Sequence, residues 1–188
     1  MANTGTGSSA VSAKITNNTF GTAAAPVGAG GTSVTATAGV VVERRRNNSP
    51  AGNALISGNS VRNGNAAASL STLNGPGVFV RTKANAHLDV TVTGNNVDTM
   101  SSNAVADLRF DTNANEVNDL VAPTQCDDIT GNTFPGGAAA VIDINEINGT
   151  HNVEQASAAA VTAANGGAVA VTPDAGVSFG VTCALPPT

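Results

Sequence analysis

An all-β solenoid is the fold class that this sequence predicts, and three observations predict it. A short phrase returns four times, as "ITNNTF" from Ile15, "ISGNSV" from Ile56, "VTGNNV" from Val92 and "ITGNTF" from Ile129. Between the copies, apolar and polar residues alternate with the period of 2 that marks a strand buried on one face. Helix-length apolar periodicity is absent, and the turn-rich stretches "NNSPAGN", "NGNAAAS", "LNGPG" and "FPGG" would break any long helix.

Composition agrees with a narrow, regular interior. The chain of 188 residues has no Trp, no Tyr and five Phe, so its core must be assembled from many small aliphatic side chains. The repeat runs through nearly all of it. We expect a flexible segment at residues 1–10 and one β domain over residues 11–188.

The elements follow in order. The fourth position of each phrase is Asn18, Asn59, Asn95 and Asn132, in steps of 41, 36 and 37 residues. A second set of strands lies between these phrases: "GVVVE" from Gly39, "GVFVR" from Gly77, "ADLRFD" from Ala106, "AAVIDIN" from Ala139 and "GAVAVT" from Gly167. Each repeat therefore carries at least two short strands. With no helices to make crossovers, such strands can run parallel if the chain winds, each turn laying its strands beside those of the last.

The phrases "GVFV…VTVTGNNV", "AVIDI" and "DITGNTF" resemble the coils of right-handed parallel β-helices of the pectate-lyase-like architecture. The alternating loops and sparse aromatics are similar to the repetitive β-helix segments of large bacterial surface and secreted proteins. The resemblance covers roughly residues 11 to 183 and implies about five irregular coils. It implies little about activity, because that architecture hosts lyases, hydrolases, adhesins and plain stalks alike.

Winding turns each position of the repeat into a column, with neighbours about 4.8 Å apart. Ile15, Ile56, Val92 and Ile129 form one aliphatic column, and Phe20, Val61, Val97 and Phe134 another. Asn18, Asn59, Asn95 and Asn132 are expected at a bend between strands, where a side-chain amide can donate to one coil and accept from the other. In the second set, Val42, Val80, Phe110, Ile144 and Val171 point inward. The next residues, Glu43, Arg81, Asp111, Asn145 and Thr172, then form an outward column of alternating sign. The column two residues earlier, Val41, Phe79, Arg109, Asp143 and Ala170, places Arg109 beside Asp143. We read these charges as register control.

Other chemistry is sparse. Asp111, Asn113 and Asn115, with Asp119 adding a carboxylate, match the first half of a calcium loop. Glu116 stands where the turning glycine belongs, however, and Ala122 where the bidentate glutamate belongs, so no metal or other cofactor is expected. A polysaccharide lyase or hydrolase would need converging carboxylates, for which Asp111, Asp143 and Arg109 are the candidates. The charge columns explain these residues without catalysis, and the chain is read as a non-enzyme. No G-x-S-x-G occurs, and His87 and His151 are isolated in sequence.

A net charge of -5 and a pI near 4.7 argue against a nucleic-acid partner, and Arg44-Arg45-Arg46 reads as a solvated edge. No stretch approaches the roughly 18 apolar residues of a membrane span, and "MANTGTGSSA" lacks the regions of a signal peptide, as expected of a processed or excised start. Cys126 and Cys183 form an even pair, compatible with a disulfide in an oxidising compartment if the last strand stacks on or next to the coil of Cys126.

The expected role is structural: a segment of an extracellular or cell-surface stalk, adhesin or filament. The alternative is a carbohydrate-binding or carbohydrate-active protein. Expected partners are further copies stacked end to end, or adjacent coils of a longer parent, with a surface glycan as a further partner. Neither terminus reads as a capping helix.

Overall fold

The computed structural model describes residues 2–3, 12–21, 38–45, 51–63, 76–99, 106–113, 122–135, 140–184 and 186. Every strand pair among them is parallel, in three sheets that the chain visits in rotation. The first round is β1 (Ala2–Asn3), β2 (Ser12–Thr16) and β3 (Thr19–Phe20). The second is β4 (Val40–Arg45), β5 (Gly52–Ser57) and β6 (Ser60–Asn63), and the third is β7 (Val78–Lys83), β8 (His87–Thr93) and β9 (Asn96–Thr99). The fourth holds β10 (Leu108–Asn113) and β11 (Thr124–Thr130), with Thr133 bridging to Asn96 in place of a third strand. The fifth holds β12 (Val141–Asn148) and β13 (Thr150–Val153), followed by a helix α1 (Ala158–Ala164), and β14 (Ala170–Pro173) and β15 (Ser178–Phe179) close the described chain.

Sheet A is therefore β1-β4-β7-β10-β12-β14, sheet B is β2-β5-β8-β11-β13-β15, and sheet C is β3-β6-β9. Each strand hydrogen-bonds to its counterparts one round away, an arrangement consistent with a solenoid. Alternation explains why these segments become strands: Val78, Val80 and Leu108, Phe110 are buried, whereas Phe79, Arg81 and Arg109 turn to the other face. The core is a stack of Val, Leu and Ile from all three sheets, with Phe110 its largest fully buried side chain. Ile15, Ile56, Val92 and Ile129 lie in register across sheet B.

The turn that introduces each phrase needs a left-handed backbone. Gly58, Gly94 and Gly131 adopt φ of +64°, +65° and +66°, and Asn17, the residue that replaces glycine in the first phrase, has φ of 57°. Asparagine is among the few side-chain-bearing residues that enter this region readily, so the phrase keeps its turn without glycine.

Four features depart from the sequence reading. Ala2 and Asn3 form a strand on β4, within the segment expected to be flexible. Val171 pairs with Ile142 rather than Ile144, so Thr172 stands beside Asp143 and not beside Asn145. The two-residue shift leaves each side chain on its expected face, because the strand period is 2. α1 is the third departure, a helix within a stretch expected to hold only strands and turns. Seven residues are too few to show apolar periodicity, and only Val161 of the helix is buried. Its signals were local: an Ala-rich run behind Ser157, whose hydroxyl accepts from the Ala160 amide at 3.2 Å. The helix takes the place of a sheet C strand in its round, with Ala164 O accepting from Gly131 N at 2.7 Å.

The cysteines are the fourth departure. Cys126 and Cys183 are disulfide-bonded with Cα atoms 5.4 Å apart, but by a different route from the one expected. β15 pairs with β13, not with β11, which carries Cys126. The chain turns back at Gly180 and returns across sheet B, held by Gly180 N to Gln155 O at 2.9 Å, Val181 N to Val153 O at 3.2 Å and Cys183 N to Glu154 Oε2 at 3.3 Å. Cys126 is on the face of β11 opposite Gln125, Asp127 and Ile129, so the disulfide fastens this returning segment to the outside of the sheet.

Candidate functional site

The repeated asparagines make a continuous hydrogen-bonded stack. Asn18 Nδ2 donates to Asn59 Oδ1 at 3.2 Å, Asn59 Nδ2 to Asn95 Oδ1 at 2.9 Å and Asn95 Nδ2 to Asn132 Oδ1 at 2.9 Å. Each backbone amide donates to the same oxygen as its own side chain does. The stack has a fifth member that the phrase search missed: Asn132 Nδ2 donates to Asn165 Oδ1 at 2.9 Å, and Asn165 ends the line by donating to Val161 O and Ile129 O. Asn165 sits in "AANGG" after the helix, so only its spacing from Asn132 could have suggested it.

The first member of the stack differs from the rest, since Asn59, Asn95, Asn132 and Asn165 are all buried. Asn95 is buried and its amide nitrogen also reaches Ile56 O at 2.9 Å, whereas Asn18 is exposed at the first round. Asn95→Leu is expected to lower unfolding stability by about 1–3 kcal/mol, since it strands buried donors and acceptors on both sides. Asn18→Leu should cost well under half of that, and equal shifts in the two denaturation midpoints would count against the stack as a stabilising element.

The outward residues of sheet A form the charged network. Glu43 stands opposite Arg81, which donates from Nε at 2.6 Å, while Arg45 approaches the same carboxylate from along β4 at 2.5 Å. Burial alone would raise the Glu43 carboxyl, but the hydrogen bonds from Arg45 and Arg81 outweigh it and hold the group below its ordinary range. Arg109 is in register with Asp143, yet its guanidinium bonds Asp111 on its own strand at 2.9 Å. Asn145 Nδ2 instead links the carboxylates, donating to Asp111 at 2.8 Å and Asp143 at 3.0 Å. Thr172 adds a bond to Asp143 at 3.0 Å. Both guanidinium groups lie over the Phe79 ring, Arg81 at 5.1 Å and Arg109 at 5.8 Å from its centroid.

This face joins the carboxylates considered for sugar chemistry, but engages their oxygens with arginine and amide donors. The calcium reading gains nothing from it. Asp111 faces sheet A partners, Asn113 ends β10, and Asn115 and Asp119 lie outside the described residues. No group of three or more His, Cys, Asp or Glu that could hold a metal occurs among the described residues.

Sequence reading missed a second polar array, inside the core. Thr82 Oγ1 donates to Gln125 Oε1 at 2.7 Å, and Gln125 Nε2 donates to both Asp127 oxygens at 3.0 and 3.1 Å. Asp127 Oδ2 meets His151 Nε2 at 2.6 Å, and His151 Nδ1 lies 3.1 Å from Asn145 O and 3.2 Å from Thr112 Oγ1. A carbonyl only accepts, so Nδ1 carries a proton and a further proton lies between Nε2 and Asp127. All five side chains are 0% exposed. Thr112, His151 and Asp127 resemble a hydrolase triad in composition, but the site is sealed from any substrate. The residues are far apart in sequence and each sits at an inward position of its strand, which is why His151 looked isolated.

The chain matches no known family model, no curated protein and no solved structure. No helix among the described residues is long and apolar enough to cross a membrane.

Proposed function

We propose that the chain is an extracellular structural module, a right-handed parallel β-helix serving as a segment of a surface stalk, adhesin or filament. The observation that carries the reading is the asparagine stack, which runs through five rounds and ends against a helix. A stack of this kind gives a stiff rod its register and needs no ligand. The disulfide fits an oxidising compartment. End-to-end association uses the strands that end the sheets, β1, β2 and β3 on one side and β14 and β15 on the other, where α1 takes the sheet C position.

Electron microscopy and sedimentation across a concentration series test this directly. Short rods that lengthen with concentration are expected. Compact particles that stay monomeric at the highest concentration would overturn the filament reading.

A second reading rests on the sheet A face, which carries Phe79 with two arginines over its ring and the linked carboxylates Asp111 and Asp143. It makes the chain a carbohydrate-binding or carbohydrate-active β-helix. Retention on immobilised polysaccharides that is lost in Phe79→Ala, or release of reducing ends that is lost in Asp143→Asn, would favour it over a bare stalk. The absence of both leaves the structural reading standing alone.

A further inference from the structure

The interior polar line sets a hydroxyl against a carboxamide and an acid against the nitrogen of that carboxamide. Thr82 is on β7 of sheet A, Gln125 on β11 of sheet B, and the two side chains meet across the interior at 2.7 Å. A carbonyl bond is about 1.2 Å long, so the carboxamide carbon lies between about 3 and 4 Å from the hydroxyl oxygen, overlapping near-attack range. Thr82 donates its proton to the carbonyl oxygen, which polarises the carbon. Asp127 holds the nitrogen through both of its oxygens, at 3.0 and 3.1 Å. His151, at 2.6 Å from Asp127, keeps a proton at that carboxyl.

We propose that Thr82 and Gln125 condense in the folded chain to an intramolecular side-chain ester, releasing one ammonia and joining sheet A to sheet B covalently. The Thr82 oxygen adds to the Gln125 carbon, and its proton passes to Oε1, to which it is already bonded. The carbon–nitrogen bond then breaks as the nitrogen takes the proton held by Asp127 and His151. The carbonyl re-forms as Oε1 returns its proton to Asp127. One O–H and one C–N bond are lost, one C–O and one N–H bond are made, and nothing is oxidised or reduced. Asp127 touches the leaving group and is the catalytic acid, while His151 acts through it as a positioning residue.

Two properties of the site favour the product. Thr82, Gln125, Asp127 and His151 are all 0% exposed, so solvent water neither competes with the hydroxyl nor hydrolyses the ester. Ammonia leaves in transient openings of the interior and is protonated and diluted in water, so the exchange is drawn forward. Thr112, the other buried hydroxyl of the array, faces His151 and the Asn145 carbonyl rather than a side-chain amide, and is not a competitor. The inference rests on this interior geometry and is independent of any extracellular role.

Intact mass spectrometry of the natural, oxidised chain after folding is the test. The expected mass is one ammonia below that of the disulfide-bonded sequence, and digestion should yield a β7 peptide joined to a β11 peptide that hydroxylamine separates. Thr82→Val should restore the full mass. Asp127→Asn, with folding checked by circular dichroism, should slow cross-linking by about 100-fold or more. A natural chain of full mass, with Thr82 and Gln125 recovered in separate unmodified peptides, overturns the proposal. So does an ammonia loss that persists in Thr82→Val, which would place it at an asparagine elsewhere.

Discussion

Replacing His151 with alanine is expected to destabilise the fold by about 3–5 kcal/mol, the cost of leaving one member of a buried ion pair without its partner. His151 and Asp127 are both 0% exposed, and among the described residues the imidazole and the Gln125 amide are the side-chain donors set against the carboxyl. His151→Ala would leave the Asp127 carboxylate with the Gln125 amide as its remaining side-chain donor, in an interior closed to water and with a void beside it. Paired replacement, His151→Leu with Asp127→Leu, should recover part of the loss, because no charge is then left at this site, while the Gln125 amide nitrogen loses its acceptors. Chemical denaturation of the three proteins checks this. A double variant no more stable than His151→Ala alone would show that packing, rather than charge, accounts for the effect.

The same pair makes stability depend on pH. Burial pulls the imidazole down, but the Asp127 carboxylate, its hydrogen bond and the Asn145 carbonyl more than offset this and raise His151 above its ordinary value of 6.5. Burial likewise pushes the Asp127 carboxyl up against the pull of His151. Both directions mean that the folded chain holds its proton more tightly than the unfolded chain does. For His151 the contribution is fully present below about 6.5 and is lost as pH rises through the raised folded value. The unfolding midpoint should therefore fall from neutral to alkaline pH in the natural chain and stay flat over that window in the double leucine variant. With no free cysteine among the described residues, thiol exchange does not confuse the reading there.

The second large effect is expected at the disulfide. Cys126 and Cys183 are separated by 57 residues, and the chain-entropy treatment of a loop of that length gives about 4 kcal/mol of stabilisation relative to the open chain. Cys183→Ser, or reduction, should lower the denaturation midpoint accordingly. The loss should begin locally, because among the described residues the returning segment is otherwise held by hydrogen bonds from Gly180, Val181 and Cys183. Faster hydrogen exchange at those amides and at β13, with the middle rounds still protected, is the expected pattern. Uniform loss of protection along the chain would instead mean that this segment is integral to the whole stack.

Much of the fold could be read from residues near one another in sequence. Alternation set the faces of β7, β8 and β10, and the repeated phrase marked its turns, even where Asn17 replaced glycine. Equal phrases imply equal positions, so the stack of Asn18, Asn59, Asn95 and Asn132 followed from spacing alone. The site was less accessible. Arg109 was expected against Asp143, and their register is as expected, but a guanidinium has several reachable acceptors and takes Asp111 on its own strand.

What the sequence determined by itself is thus the strand-rich composition, the phase of each strand and the recurrence of the asparagine turn, all properties carried within a single round. Tertiary structure alone decided the two-residue offset of β14, the helix in the place of a strand, the return of the chain from β15 to Cys126, and the line from Thr82 through Gln125 and Asp127 to His151. The physical reason is common to all of them. Each depends on which rounds lie side by side and on what is enclosed between sheets, and a polar side chain at an inward position gives no sign in sequence of the partner that will satisfy it.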